Sequence, residues 1–287
     1  ILQKKIKMRI ISSVDEYKEF LSSSDKKQTG FVPTMGALHQ GHLSLVRKSL
    51  SENDLTVVSI FVNPKQFNDK NDFEKYPRTL EKDLELLKNE KCDIVFVPQT
   101  DDIYNNYTGI KIDFKELDKI YEGKFRPGHF QGVVDIVYRL FEIVKPDKAY
   151  FGEKDFQQLA IIKLMVKQTN LPIIIVPCEI VREKSGLAMS SRNERLTAEQ
   201  REIASFIYKT MLIIKENAKS GDNPQTWINF FQTEINKHTP LKYEYATFCE
   251  PNTLNSVSVF EKNKGVQLCV AVWCDEVRLI DNLFLQF

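Results

Sequence analysis

The sequence predicts an α/β fold, in which a parallel sheet with helices on both faces is followed by a smaller C-terminal α+β domain. In the first two-thirds of the chain, short strands that are apolar throughout alternate with helical segments. That alternation is typical of a parallel sheet buried on both faces. After about Ser185 two helical segments are followed by strands with partial alternation, which indicates an α+β domain.

Each predicted element depends on a local pattern. The first domain has apolar runs at residues 29–33, 56–62, 93–98, 149–152 and 173–177, which predict strands. Helices are predicted at 43–50, around 80–87, at 133–144 and at 159–168, from 3.6-residue periodicity or apolar residues on several faces. In the C-terminal part, the capping box at Thr197 predicts a helix that runs to about Asn217. A helix at 225–237 and strands at 243–248, 266–273 and 277–280 follow.

These patterns divide the chain into an α/β domain, residues 8–184, in which ligands are expected at the carboxyl ends of the strands, and a smaller α+β domain, residues 185–287. Residues 1–7 precede Met8 and are interpreted as an addition ahead of the natural start. The net charge of +1, from 40 basic and 39 acidic residues, disfavours a general nucleic-acid binder. Apolar runs are too short for a membrane span, and five scattered cysteines without a C-x-x-C pair favour reduced thiols in the cytoplasm.

The strongest motif is Pro33-Thr-Met-Gly-Ala-Leu-His-Gln-Gly-His42, here called the glycine–histidine loop. It lies where a predicted strand ends and a predicted helix begins, so free backbone N–H groups and two histidines can face a phosphate. Alternative interpretations are a metal site or two surface histidines. After a strand, H-x-G-H is typical of the nucleotidyl-transfer superfamily that includes class I aminoacyl-tRNA synthetases, and it predicts ATP binding.

Two further motifs could serve the same nucleotide. Met189-Ser-Ser-Arg192, here called the serine–arginine loop, carries two hydroxyls and a guanidinium suited to phosphates, although a polar linker is the alternative. Gly152-Glu-Lys-Asp155 follows a predicted strand and offers close approach to a sugar, a positive charge and a ribose acceptor. Gln158 follows one turn later and can present an amide to a polar substrate. An ordinary surface helix start is the alternative there.

Other polar residues are candidates for the second substrate. Asn63 and Gln66 follow a predicted strand whose ladder Pro64 ends, and their amides could bind a hydroxy acid. Asp83 could hold magnesium or simply favour a helix N-terminus. Arg126 and His129 could close over an acidic substrate, or His129 could be structural.

Taken together, these blocks resemble the pantothenate synthetase family from Met8 to the end of the chain. The resemblance includes Glu250-Pro-Asn-Thr-Leu and Arg278-Leu-Ile-Asp-Asn. It implies ATP- and Mg²⁺-dependent condensation of pantoate with β-alanine, through a pantoyl-adenylate, to give pantothenate, AMP and pyrophosphate. It also implies that residues 8–184 form a Rossmann-like domain that binds ATP and pantoate, that residues 185–287 form a small lid domain that closes over ATP, and that the protein is a homodimer. Lys65 and Lys82 depart from the family pattern.

The resemblance assigns roles to residues. His42 would be the proton donor, while Gln66 and Gln158 would hold pantoate. Catalysis by positioning and charge stabilisation would involve His39, His42, Lys154 and Arg192. The implied ATP pocket comprises Met35, Gly36, Ala37, Leu38, His39, Gln40, Gly41, His42, Gly152, Glu153, Lys154, Asp155, Val181, Met189, Ser190, Ser191 and Arg192.

Two other functions compete with this one. A nucleotidylyltransferase would share the histidine motif, but it would need a basic pocket for a phosphate-bearing acceptor. A non-catalytic nucleotide-binding module would be expected to lack some of the histidines, the lysine or the glutamines, and all are present. Formation of AMP together with pantothenate separates the three.

Overall fold

The computed structural model describes residues 8–23, 27–105 and 107–287, which form two compact units. The first contains residues 8–153 and Gln158–Glu179, and the second contains Lys154–Gln157 and Ile180–Phe287. Residues from Ile180 onward pack with the second unit, where Arg182 bridges Ala188 and its guanidinium pairs with Asp281. The predicted domain boundary at Ser185 stays a prediction. Residues 1–7, interpreted as an addition, lie outside the described residues.

Among the described residues, six parallel strands form the sheet of the first unit, and the parallel arrangement and five of the strands were predicted. The six strands are β1 (Arg9–Ile11), β2 (Thr29–Thr34), β3 (Leu55–Ile60), β4 (Ile94–Phe96), β5 (Lys148–Gly152) and β6 (Ile174–Cys178). Their order across the sheet is β1-β4-β3-β2-β5-β6. Strand β1 was not predicted, because three residues are too few to show a period and its pairing with β4 depends on the tertiary fold.

Helices cover both faces of this sheet. They are α1 (Val14–Ser23), α2 (Gln40–Glu52), α3 (Lys70–Glu74), α4 (Leu80–Asn89), α5 (Thr100–Tyr104), α6 (Tyr121–Phe125), α7 (His129–Val144) and α8 (Phe156–Thr169). Consecutive strand residues belong to opposite cores: Phe31 packs into the cluster that contains α7, and Val32 into the cluster that contains α2. Since both faces are buried, the strands read as continuous apolar runs, and the predicted fold class is confirmed.

The second unit is the predicted smaller α+β domain. Its helices are α9 (Ala198–Ala204), α10 (Phe206–Asn217) and α11 (Pro224–Asn236), and its strands are β7 (Leu241–Cys249), β8 (Gly265–Cys274) and β9 (Val277–Gln286). The three strands are antiparallel, in the order β7-β8-β9, and share one hydrophobic core with the helices. No helix among the described residues is both long and apolar enough to cross a membrane.

One predicted helix is divided in two. The segment predicted from Thr197 to Asn217 breaks at Ser205, which is fully buried and donates its hydroxyl to the carbonyl of Glu202 at 2.5 Å. Such a side-chain bond to the backbone competes with the helical ladder. The capping box at Thr197 is present as predicted: the Thr197 hydroxyl accepts from the N–H of Gln200, and the Gln200 side-chain oxygen accepts from the N–H of Thr197. Strand β9 also extends six residues beyond the predicted end at Ile280.

Candidate active site

The predicted site residues fall into two groups, one in each unit, which are described in turn. The first unit contains the glycine–histidine loop, Asn63, Gln66, Asp83, Arg126, Gly152, Glu153 and Gln158. The second unit contains Lys154, Asp155, Val181 and the serine–arginine loop.

The two histidines of the glycine–histidine loop cap helix α2. The Nδ1 atom of His39 accepts from the N–H of Gly41 at 3.1 Å, and Nδ1 of His42 accepts from the N–H of His39 at 3.4 Å. The ring centroids lie 4.1 Å apart. Because Nδ1 is an acceptor in each ring, a neutral imidazole carries its proton on Nε2. The loop therefore presents two Nε2–H donors beside a helix N-terminus, an arrangement suited to an anion.

The carboxylate of Asp83 holds this loop in shape. It accepts from the N–H groups of Ala37 at 2.9 Å and Leu38 at 2.7 Å, and from the Thr79 hydroxyl at 3.2 Å. The loop needs such support because Gly36 has φ of 79° and Ala37, which is not a glycine, has φ of 48°. Burial raises the pKa of Asp83, while these three hydrogen bonds oppose the rise.

This geometry does not fit Asp83 as a direct magnesium ligand. Its side chain is only 1% exposed, and both carboxylate oxygens already accept hydrogen bonds from the loop. In residues 8–23, 27–105 and 107–287, no group of three or more histidine, cysteine, aspartate or glutamate side chains is arranged to hold a metal ion. Asp83 therefore has a structural role. It supports the glycine–histidine loop, whereas the sequence suggested a favourable interaction with the helix N-terminus as the alternative to metal binding.

Gln66 connects the second predicted motif to the glycine–histidine loop. It ends a short 3-10 helix, Pro64–Gln66, and its side-chain amide donates to the sulfur of Met35 at 2.7 Å. Its backbone carbonyl accepts from Nδ1 of His129 at 2.7 Å. His129 is only 5% exposed, which favours the structural alternative for this residue.

Asn63 is engaged by the protein itself. Its Oδ1 accepts from the Tyr104 hydroxyl at 2.6 Å and from the N–H of Lys65 at 3.2 Å. Its amide nitrogen donates to the carbonyl of Gly132 at 3.0 Å, and the side chain is 1% exposed. These contacts leave Asn63 as a support beneath Gln66 rather than as the substrate contact expected from the sequence. Lys65, a departure from the family pattern, places its ammonium 3.9 Å from the centroid of the Tyr104 ring.

We expect Gly132→Ala to distort the position of Gln66. A methyl group there would lie 2.2 Å from the carbonyl oxygen of Lys65 and 2.8 Å from the Cα of Gln66, so the backbone must move. Overpacking of this kind costs about 1–3 kcal/mol. Urea unfolding should show that loss. As a control for stability, the same methyl at Gly152 meets no atom within 4 Å and should leave the free energy of unfolding unchanged. Equal stability of the two variants would contradict the expectation.

Arg126 is held by neighbours of its own. Its guanidinium lies 3.8 Å from the carboxylate of Glu122, and its Nε donates to Asn68 at 3.3 Å. The Arg126 side chain is 16% exposed. The structure therefore pairs this arginine with a protein carboxylate, and its predicted contact with substrate stays a prediction.

In the second unit, a hairpin brings the remaining phosphate candidates together. The N–H of Met189 donates to the carbonyl of Val181 at 3.0 Å, beside the bridge between Arg182 and Ala188. The serine–arginine loop then enters a 3-10 helix, Ser191–Arg195, and Ser190 caps it by accepting from the N–H of Arg192 at 3.2 Å. Val181 and the loop are thus neighbours, as the sequence grouping predicts.

Lys154 lies near the same loop. Together with Ser190 and Asp281 it lines a small cavity of about 10 Å³ in the second unit. Its ammonium is 4.0 Å from the carboxylate of Asp155. Gly152 lies at the end of β5, and a Cβ atom added there would have no other atom within 4 Å. This open space fits the expected close approach of a ligand.

Three contacts of the site were missed by sequence reasoning: those of Asp83 with the glycine–histidine loop, of His129 with Gln66, and of Asn282 with the backbone of Lys154. The last is a hydrogen bond of 2.9 Å from the Asn282 amide to the Lys154 carbonyl. The Arg278-Leu-Ile-Asp-Asn segment enters the sequence argument only through the resemblance, and the available signal was an aspartate and an asparagine within the otherwise apolar run from Leu279 to Leu285.

Comparisons with known proteins agree over nearly the whole chain. The family model described as pantoate-beta-alanine ligase matches residues 9–284. A pantothenate synthetase of Bacteroides thetaiotaomicron is 47% identical over 278 residues, which cover 96% of this chain and 98% of the relative.

Solved structures give the same result. The crystal structure of pantothenate synthetase from Thermus thermophilus has a TM-score of 0.89 at 38% identity, covering 96% of this chain and 99% of that one. The pantoate-beta-alanine ligase of Francisella tularensis, complexed with beta-gamma ATP and beta-alanine, has a TM-score of 0.80 at 37% identity, covering 96% and 97%. The resemblance inferred from the motifs is confirmed, and this chain belongs to the pantoate–β-alanine ligase family.

Proposed function

We propose that this chain condenses pantoate with β-alanine at the expense of ATP, giving pantothenate, AMP and pyrophosphate. The observation that carries the proposal is the family match over residues 9–284, within which the histidine pair caps helix α2 at a strand end. The relative from Francisella tularensis, solved with an ATP species and beta-alanine, supports ATP and β-alanine as two of the substrates.

The reaction needs an activated carboxylate, because a free carboxylate has no adequate leaving group. A pantoate carboxylate oxygen attacks the α-phosphorus of ATP, and the bond to the bridging oxygen of the β-phosphate breaks. Pyrophosphate leaves, and the pantoyl-adenylate remains. The amine of β-alanine then attacks the acyl carbon, the bond to AMP breaks and the nitrogen loses a proton.

In this proposal His39 and His42 donate from Nε2 to the phosphates, where negative charge grows as pyrophosphate departs. Lys154 and Arg192 add positive charge, and the Ser190 and Ser191 hydroxyls add donors. Donors fixed before the reaction need little reorganisation during it. The capping bonds of the histidine Nδ1 atoms fix the ring orientations, so they favour this use of Nε2.

Backbone groups complete the proposed ATP pocket. The N–H groups of the loop after Met35, held by Asp83, suit a phosphate or the base, and open space at Gly152 suits a sugar. The residues assigned to this role are Met35, Gly36, Ala37, Leu38, Gln40, Gly41, Gly152, Glu153, Asp155, Val181 and Met189.

For pantoate we assign Gln66 and Gln158 as the direct contacts. Asn63 is assigned a supporting role, since its amide is bonded to Tyr104, Lys65 and Gly132. The bond between Gln66 and Met35 joins the acid-binding segment to the glycine–histidine loop. Arg126 is kept as a candidate for the carboxylate of a substrate, for which it would have to leave Glu122.

Magnesium, homodimer formation and a cytoplasmic location belong to the same proposal. The described residues do not fit a protein cage for Mg²⁺, and we assign the ion to the phosphates of ATP, as is usual for this cation. All five cysteines are free and buried, in keeping with a reducing compartment. Sedimentation of the purified chain would test the homodimer.

One assay tests the main proposal. The chain is incubated with ATP, Mg²⁺, pantoate and β-alanine, and the expected products are AMP and pantothenate in equal amounts. Omitting β-alanine should leave pantoate-dependent exchange of labelled pyrophosphate into ATP. Transfer of a nucleotide to a phosphate-bearing acceptor would favour a nucleotidylyltransferase instead, and ATP binding without turnover would favour a binding module.

Replacement of Gln66 by alanine should weaken use of pantoate and leave ATP affinity largely unchanged. The loss of a hydrogen bond to a charged group is worth about 1.5–3 kcal/mol, so kcat/KM for pantoate should fall roughly 10- to 100-fold. Initial rates at varied pantoate and varied ATP measure the two effects separately. Gln232→Ala, on the exposed side of α11, is the matched control and should behave as the wild type. Unchanged pantoate kinetics in Gln66→Ala would exclude this role.

A further inference from the structure

Two consecutive residues of strand β9 form hydrogen bonds with Lys154 and with the hairpin that leads to the serine–arginine loop. Asp281 and Asn282 are consecutive there, only 5% and 4% exposed, in a strand whose other buried residues are apolar. Buried polar side chains of this kind are expected to be hydrogen-bonded, and both are. Their partners, however, belong to different segments of the second unit, which carry different parts of the proposed phosphate site.

Asp281 holds the base of the hairpin that leads to the serine–arginine loop. Both its oxygens accept from the Arg182 guanidinium, at 2.6 and 2.9 Å, in the bidentate geometry that fixes orientation as well as distance. The same guanidinium donates to the Gly186 carbonyl at 3.1 Å and lies 3.6 Å from the centroid of the Tyr208 ring. The position of this hairpin is therefore set by Asp281.

Asn282 holds Lys154. Its side-chain amide donates to the Lys154 carbonyl at 2.9 Å, and its Oδ1 accepts from Gln267 of β8 at 2.7 Å. Its own N–H donates to Asp281 at 2.7 Å, and its carbonyl accepts from Arg182 at 3.3 Å. A continuous chain of hydrogen bonds thus joins the backbone of Lys154 to Arg182.

We infer that Asn282 is a positioning residue for Lys154, an inference that rests on the proposed function. Asn282 and Asp281 together set the distance between the Lys154 ammonium and the serine–arginine loop. Lys154, Ser190 and Asp281 line one small cavity, so the lysine, the loop and the aspartate lie close together. Burial raises the pKa of Asp281, and the charges of Arg182 and Lys154 oppose the rise, which agrees with this proximity. Misplacement of a charge by about 1 Å can cost roughly 100-fold in rate, so the spacing matters for pyrophosphate release.

The first test is Asn282→Ala, assayed by pantoate-dependent release of pyrophosphate. We expect kcat to fall about 10- to 100-fold, with KM for pantoate unchanged. Gln267→Met is the matched control, because it removes the other partner of the Asn282 side chain and leaves the bond to Lys154 available. It should keep near-wild-type kcat. If Asn282→Ala proves unfolded, Asn282→Leu in the Gln267→Met background has a similar size, leaves no Gln267 amide unpaired and still lacks the donor, and the same loss relative to Gln267→Met is expected.

A double-mutant cycle separates positioning from support of the sheet. Lys154→Ala keeps the backbone carbonyl that Asn282 contacts but removes the ammonium. If Asn282 acts through that ammonium, adding Asn282→Ala to Lys154→Ala should lower kcat less than about threefold further. Losses that multiply, or full kcat in the folded single variant, would overturn the inference. A wild-type chain that forms no AMP and pantothenate would instead overturn the proposed function, and the inference with it.

Discussion

His42→Ala is expected to slow pantoate-dependent pyrophosphate release by about 10²–10³-fold, the usual cost of removing one fixed donor to a developing charge. The affinity for ATP should change much less, because the donor gains strength mainly in the transition state. Pyrophosphate exchange measures the first quantity and equilibrium titration with ATP measures the second. Exchange at the wild-type rate would exclude His42 from the chemistry.

Two polar replacements distinguish the chemistry of His42 from its capping role. Asparagine places an oxygen near the position of Nδ1, so it can still accept from the N–H of His39 but lacks Nε2. Glutamine reaches the position of Nε2 with an N–H donor and gives up the cap. We expect His42→Gln to be the more active and His42→Asn the more stable. His238→Ala, which removes a histidine stacked on Phe206 in the second unit, is the control and should retain activity.

Asp83→Ala should both destabilise the first unit and abolish most activity. The buried N–H groups of Ala37 and Leu38 would each lose an acceptor at about 1–3 kcal/mol, so a total loss of about 2–6 kcal/mol is expected. The left-handed backbone of Gly36 and Ala37 would then be free to relax, and the donors proposed to bind the phosphates would lose their arrangement. Urea unfolding and pyrophosphate release measure the two effects.

A neighbouring carboxylate provides the control for Asp83. Glu81 lies two residues earlier in the first turn of α4 and is exposed, so Glu81→Ala removes the same charge from the helix without touching the loop. It should change stability and rate only slightly. If the two variants behaved alike, the helix N-terminus rather than the loop would be the reason for an acidic residue there. Full activity of Asp83→Ala would contradict the proposed support.

Much of the fold could be predicted because the residue pattern of each central strand indicates which of its two faces are buried. Phe31 and Val32 face opposite cores, and a run that is apolar at both positions requires cover on both faces. The break at Ser205 could not be predicted in the same way. The pattern of Thr197–Asn217 continues across it, and only burial of the serine hydroxyl in the tertiary structure makes the bond to Glu202 compete with the helix.

The site shows the same division between local and distant causes. The glycine–histidine loop is local, since a strand end, two glycines and a helix start determine where its donors lie. The role of Asp83 is not local: 46 residues separate it from Ala37, and a carboxylate in the first turn of a helix already has an ordinary explanation. Arg182 and Asp281 are 99 residues apart, and the sequence around either residue does not indicate that the two side chains pair.

The tetrapeptide Lys154–Gln157 packs with the second unit although the residues on both sides of it belong to the first. The two units are therefore interleaved along the chain, and no single cut yields both intact. A fragment that starts at Ile180 would lack the Lys154 carbonyl to which Asn282 donates. In a chimera of two relatives joined at residue 180, the carbonyl at position 154 would come from one parent and Asn282 from the other. The bond would then depend on how closely the two parents' backbones match over Lys154–Gln157, and the identity of the side chain at 154 would not decide it.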